Sequence, residues 1–406
     1  MKPTAPTRDA AACEPTSDEI AQVRAARLAR VRRELSRHDL GACVLFDPTH
    51  IRYACGSRNM QVYSARNPAR YLFVPVSGPV VLFEYAGCDH MAAGLETVDE
   101  VRPATAISYF FSAEGLERVV EGWADEIDAL CREHGVGARI GLESATAGAA
   151  FALKARGYQV CDAQAPLEHA RAIKVPGELT MIRSSLRAVE EGVRRMEAAI
   201  APGRSENEIW AELHRHVIAT DGDYVETRLL SSGERTNPWF QECSSRVLEA
   251  GDLVALDTDV VGRHGCYADF SRTFLCGDGR PTAAQTDLYR LAYEQVQTNL
   301  DILRPGMSFR EYTEKAWPIP GPYRARRYFA LAHGVGMTGE YPYIVHREDL
   351  DEKGYDGIIA PGMTLCVESF IGHEDGGEGV KLEEQVYVGE DSVELLSDYP
   401  FDDRLL

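Results

Sequence analysis

The chemistry in this 406-residue chain concentrates in its second half, where Asp257, Asp259, Asp269, His333, Glu368 and Glu383 lie within or beside short apolar runs. The run Leu253-Val254-Ala255-Leu256 leads directly into Asp257 and reads as a buried strand. Asp257 and Asp259 are two apart, so a strand carries both to one face. Gly262 and Gly265 punctuate a turn, and residues 266–274 return as a second strand bearing Asp269. His333 stands in Ala332-His333-Gly334-Val335-Gly336. Glu368 ends the run from Met363, and Glu383 lies in Val380-Lys381-Leu382-Glu383-Glu384-Gln385-Val386. Carboxylates removed from water without compensation shift their pKa or recruit a cation. The basic residues closest to the hairpin in sequence are Arg263, His264 and Arg272, with no lysine, so a metal is the expected compensation. Five carboxylates and one imidazole suit two divalent ions, one in oxygen-rich surroundings and one with a nitrogen ligand.

Taken singly, each acid would read as a solvated surface residue and His333 as a hydrogen-bonded core histidine. The set, at apolar strand positions, favours ligation. Gly334 and Gly336 strengthen the reading of His333, because glycines permit close backbone approach. Glu384 falls on the opposite face from Glu383 by alternation, solvated or paired with an arginine. The ten cysteines are scattered without a CxxC pair, which reads as reduced thiols. Cys266 and Cys366 lie close to ligands in sequence, and packing is the favoured reading for both.

The elements that must position these residues fall into two groups. A helix is expected from a Thr16–Glu19 capping box to about residue 37, then strands at 42–46, 70–76 and 79–85, a helix at 117–133 and a strand at 140–142. This pattern predicts a compact α/β domain over residues 19–168, after a flexible tail at 1–18. Lys174-Val175-Pro176-Gly177-Glu178 breaks structure and opens a helix. The second domain, 169–406, has helices at 178–200, 205–220 and 283–303 and a fourth capped at Ser308. Strands are expected at 224–231, 253–261, 267–276, 364–371 and 378–388. Two helices then strands, twice over, is an internal duplication, and the class is α+β.

A formal charge of −20 argues against nucleic-acid and anionic-membrane partners. No run is long enough to span a bilayer, and residues 1–19 have no apolar signal-peptide core, so a cytoplasmic enzyme is expected.

The order Asp, Asp, His-Gly-x-Gly, Glu, Glu resembles the pita-bread metallohydrolases: methionine aminopeptidase, aminopeptidase P, prolidase and creatinase. Those families space the first two aspartates eleven apart. Here Asp257 is twelve and Asp259 ten from Asp269, and that pattern resembles the DddP-type dimethylsulfoniopropionate (DMSP) lyases. The similarity extends through Asn59-Met60-Gln61-Val62, Asn67-Pro68-Ala69-Arg70-Tyr71, Thr236-Asn237-Pro238-Trp239-Phe240-Gln241-Glu242-Cys243 and Gly379-Val380-Lys381-Leu382-Glu383. It implies a C-terminal pita-bread fold behind a creatinase-like N-terminal domain, in a homodimer in which the segment carrying Arg66 and Arg70 reaches over the partner's site. It also implies two metal ions, with iron expected and zinc or manganese acceptable.

The implied reaction is carbon–sulfur cleavage of DMSP, or a related small onium carboxylate, to dimethyl sulfide and acrylate. A sulfonium group favours aromatic surroundings through cation–π attraction, which nominates Trp239, Tyr63, Tyr267 and Tyr341 as a substrate wall, with core packing as the alternative for each. Phe240 adjoins Trp239 in the same loop. The peptidases carry a second histidine seven residues after the first. Counting from His333 gives Glu340, which weakens the reading as an Xaa-Pro dipeptidase or aminopeptidase. The DddP-type run resembles His-Gly-x-Gly-x-Cys-Asp-Glu-Tyr-Pro, whose Asp is a proposed base. Gly339 stands there in this chain and cannot accept a proton. Glu340, or another carboxylate, and Tyr328 are the catalytic candidates. A divergent binding protein that kept the fold is a third reading.

Overall fold

The computed structural model describes residues 14–406; residues 1–13 of the expected tail lie outside them, and at its other end Ser17 and Asp18 already belong to the first helix rather than to a tail. The chain divides into two compact units, one of Thr16–Arg171 with Val175–Gly177 and one built mainly of Glu178–Leu406.

The first unit opens on the helix Ser17–Arg37, whose N-cap Thr16 and Glu19 form the expected capping box. Its six-stranded sheet runs in the order Glu100–Pro103, Val81–Glu84, Tyr71–Pro75, Ala42–Leu45, Arg139–Glu143, Gln159–Asp162. Ala42–Leu45 pairs antiparallel with Tyr71–Pro75 and parallel with Arg139–Glu143. The helix Leu116–Glu133 buries Val120, Trp123, Ile127 and Leu130 among Phe46, Tyr71, Phe73 and Phe83. Arg70 is also buried here, held by Glu84 and Ser57, so its charge is spent inside its own unit.

In the second unit a helix pair precedes strands twice: Glu178–Ala198 with Glu206–Ala219, then Ala283–Ile302 with Phe309–Lys315. Ser205–Glu208 and Thr282–Gln285 close reciprocal capping boxes. An antiparallel five-stranded sheet follows the order Gly339–Ile344, Ala332–Val335, Thr364–Gly372, Gly379–Val388, Val393–Leu395. A three-stranded sheet pairs Leu253–Asp257 with Ser271–Leu275 and Leu230–Ser232. The expected 253–261 and 267–276 strands are each interrupted. The chain leaves one ladder after Asp257 and joins a second at Val260–Val261, paired with Tyr267–Ala268. Asp259, at the kink, has φ of 35°. The two strands around His333 carry little strand signal because of their glycines. Gly334 is obligatory: a Cβ there would lie 2.3 Å from the Tyr341 carbonyl oxygen, beside a register shift between His333 and Gly334.

Candidate metal centre

Register brings the acids together. Glu368 lies directly opposite Glu383 on neighbouring strands, and Asp257 opposite Ser271. Like charges placed so are destabilising unless something offsets them. Asp257, Asp259 and Asp269 converge although the backbone kinks between the first two, and Asp269, His333 and Glu383 form an overlapping cluster that includes Cys366. Asp257, Asp269, Glu368 and Glu383 are buried. Asp259 is part-exposed and accepts from the Tyr267 hydroxyl at 2.9 Å and from Thr227.

The expectation of no lysine at the site is corrected here. Lys381, two residues before Glu383 and therefore on the same strand face, places its Nζ 2.9 Å from Glu368 Oε2, 3.1 Å from Glu383 Oε2 and 3.4 Å from Asp257 Oδ2. It also donates to Ser271 Oγ at 2.9 Å. The residue is distant in sequence from the aspartate hairpin, and only the five-stranded sheet brings it in. Five carboxylates against one ammonium leave four negative charges, the number that two divalent ions carry.

The remaining donors fit metal ions. Asp269 Oδ1, Glu368 Oε1 and Glu383 Oε1 are buried with no hydrogen-bond partner, a costly state for carboxylate oxygens. His333 Nδ1 bonds the Gly334 carbonyl at 2.9 Å. A carbonyl only accepts, so Nδ1 carries the proton and Nε2 is left as a potential ligand. Nε2 faces Glu368 Oε1 at 3.5 Å, Asp269 Oδ2 at 3.7 Å and Glu383 Oε1 at 3.8 Å. Without cations the cluster is electrostatically frustrated. Burial first, then the neighbouring acids, pushes Asp269 well above the carboxylate range. Burial does the same to Asp257 against the pull of Lys381. Glu368 is raised to about 7, by burial and then by Glu383, although Lys381 opposes the shift. Burial also raises Glu383, but Lys381 and His333 outweigh it and the net direction is down. The Cys366 thiol, raised by burial and then by Asp269, donates to the Asp269 carbonyl at 3.6 Å. It packs against the cluster as a neutral thiol.

Around the acids stands an aromatic group. The Tyr328 ring lies under Lys381 Nζ, 4.5 Å from its centroid. Phe329 stacks on Tyr328 at 4.3 Å and on Phe240 at 5.2 Å, and Tyr343 continues the stack at 5.6 Å. Trp239 packs on Phe370 behind them. Phe240 is 51% and Phe329 46% exposed, so the stack is open to solvent. Phe240 has φ of 71°, rare for a bulky side chain and concentrated at functional positions. Phe329 and Tyr343 were not anticipated; the adjacent aromatic pair Tyr328-Phe329 was the available signal.

The other nominated residues sit elsewhere or act differently. Tyr267 holds Asp259 through the shorter contact of its hydroxyl, which also lies 3.2 Å from Glu226 Oε2. Tyr341 packs against Phe309 and Tyr355 at the edge of the main core, not in the aromatic group. Tyr63 belongs to the N-terminal unit, with its ring beside Tyr85. Glu340 forms a buried ion pair with Lys174. Glu384 is buried rather than solvated, and is bound by Arg272 at 2.7 Å, as the paired reading anticipated.

Two family models cover most of the chain: metallopeptidase family M24 over residues 180–390 and the creatinase/prolidase N-terminal domain over residues 27–173. The chain belongs to metallopeptidase family M24, with a creatinase-type N-terminal domain ahead of the pita-bread domain. It is 34% identical to the "Dimethylsulfoniopropionate lyase DddP" of Roseovarius nubinhibens over 96% of this chain and 88% of that protein. The protein of the same name from Roseobacter denitrificans matches at the same identity and coverage. A Pyrococcus furiosus Xaa-Pro dipeptidase is 26% identical over 56% of this chain and 63% of its own length. Among solved structures, an Xaa-Pro dipeptidase from Bacillus anthracis superposes with a TM-score of 0.73 over 93% of this chain and 99% of its own, at 19% identity, a likeness of fold.

Proposed function

We propose that this chain is a metal-dependent lyase that cleaves DMSP to dimethyl sulfide and acrylate. The observation that carries the reading is 34% identity, over 96% of this chain, to two DMSP lyases, in a chain whose buried acids stand beside an open aromatic stack. In the reaction the C–H bond next to the carboxylate breaks and its electron pair forms the new C=C bond. The C–S bond breaks, sulfur keeps that pair, and the proton passes to a base. Two divalent ions held by Asp257, Asp259, Asp269, His333, Glu368 and Glu383 would supply positive charge for the substrate carboxylate as negative charge develops. Iron is our assignment, with zinc and manganese compatible with the donors.

The chain's own groups do the rest. Phe240, the most exposed ring of the stack, offers a face to the sulfonium, whereas Phe329 is covered by Tyr328, Phe240 and Tyr343 and the face of Tyr328 is taken by Lys381. Burial, then the surrounding acids, holds the Tyr328 phenol well above its usual pKa. It therefore stays neutral and serves as a hydrogen-bond donor rather than a base. Glu340 spends its carboxylate on Lys174, so we assign it to holding its strand.

We further infer a homodimer, a domain boundary within residues 172–177, and a cytoplasmic setting. All nine described cysteines are free, which suits a reducing compartment. No helix among the described residues is long and apolar enough to cross a membrane. The test is gas-phase detection of dimethyl sulfide from DMSP by metal-loaded protein, run beside proline release from Xaa-Pro dipeptides. Dimethyl sulfide without proline is expected. Proline release without dimethyl sulfide would replace the lyase with a peptidase.

A further inference from the structure

We propose a second, separate metal site in the N-terminal unit, formed by Glu34, His38 and His169 and suited to zinc or a similar borderline divalent ion. Each of the three offers a ligand atom within 4.8 Å of the others. Glu34 and His38 are four apart at the C-terminal end of the helix Ser17–Arg37, so they share one face. His169 comes from the helix Gln164–Ala172, at the far end of the same unit.

The geometry is that of a chelate. His38 Nε2 and His169 Nδ1 lie 3.2 Å apart. Two imidazole nitrogens on one tetrahedral zinc, each about 2.0–2.1 Å from it, stand about 3.3 Å from each other. The pair is therefore already at ligand spacing, and an ion between the rings would replace a single shared proton. The rings are tilted 36° with centroids 5.4 Å apart, which leaves the nitrogen edges converging.

Glu34 is buried and supplies the negative charge. Its present partners are Arg37 NH1 at 3.2 Å and Arg33 Nε at 3.6 Å, both on well-exposed side chains that can swing into water. A cation at this end of a 21-residue helix also meets the negative pole of its dipole. A fourth position would be left to water. Such an ion would tie the first helix of the unit to its last. The site shares no residue with the acid cluster, and the proposal stands whatever reaction that cluster performs.

The experiment is elemental analysis of full-length protein equilibrated with zinc at fixed low-micromolar free concentration, comparing wild type with His38→Asn and, independently, His169→Asn. Each variant is expected to hold one zinc equivalent fewer than wild type, and the zinc-dependent rise in Tm should shrink with it. Cobalt substitution provides a second reading: the wild-type visible spectrum minus that of His38→Asn should show a tetrahedral cobalt band. Equal zinc content in wild type and both variants overturns the proposal, as does a featureless difference spectrum.

Discussion

Replacing Lys381 with methionine separates the metal account from a purely structural one. Lys381 is the ammonium among the buried acids, close to Glu368, Glu383 and Asp257. Methionine fills similar space without charge. Removing one partner of a buried ion pair costs about 3–5 kcal/mol, because the other charge stays buried. For a domain of this size each kcal/mol moves Tm by roughly 2–4 °C, so chelated Lys381→Met should melt about 10 °C below chelated wild type at pH 8. With metal restored the acids regain cations and the deficit should fall to a few degrees. Acid should also relieve it. Asp257, Asp269 and Glu368 have folded pKa values above their unfolded ones. The stability they contribute is present below the unfolded values and is lost as pH rises; for Glu368 the loss spans about 4.5 to about 7. The assay is differential scanning fluorimetry of chelated and metal-loaded protein at several pH values. An equal deficit with and without metal, or no deficit in chelated protein, refutes the reasoning.

Three further outcomes are expected. Gly339→Asp should raise kcat on DMSP several-fold with little loss of Tm, since a Cβ at Gly339 meets nothing within 4 Å; an unchanged kcat, measured by acrylate formation, would remove that position from the chemistry. Phe240→Ala should raise KM for DMSP by about two- to thirtyfold, as loss of a cation–π contact of roughly 0.5–2 kcal/mol predicts, with kcat nearly constant in steady-state assays. Burial, then Arg327, pulls buried His346 down to about 4 from 6.5. Its contribution of about 3 kcal/mol is present above pH 6.5 and lost as pH falls towards 4, so in acid titrations followed by circular dichroism His346→Gln should lose stability less steeply than wild type over that range.

Asp257, Asp269, Glu368 and Glu383 were legible as buried acids because each combines a charged type with an apolar context, and the helices because their periodicity and capping boxes are local signals. Asp257 and Asp259 were expected to converge through simple alternation. They converge instead across a kink at Asp259, which a two-residue spacing does not reveal. Lys381 escaped because sequence distance hid a spatial neighbour: strand pairing of Glu368 with Glu383 brings it in. Glu340 was nominated by its position in a motif, and its partner Lys174 lies 166 residues away. The strands around His333 were missed because glycines that permit close approach also erase the hydrophobic alternation by which strands are read. Phe329 and Tyr343 are ordinary aromatics until the stack with Phe240 forms.

The most direct test is the metal content of the purified, untreated protein beside that of Asp269→Ala, measured by inductively coupled plasma mass spectrometry after removal of loosely held ions. The variant is expected to carry up to two tightly held divalent ions per chain fewer than the wild type, while still folded. Wild-type protein with no tightly held ions, or a variant with undiminished content, would contradict the claim that these acids are buried together in order to hold them.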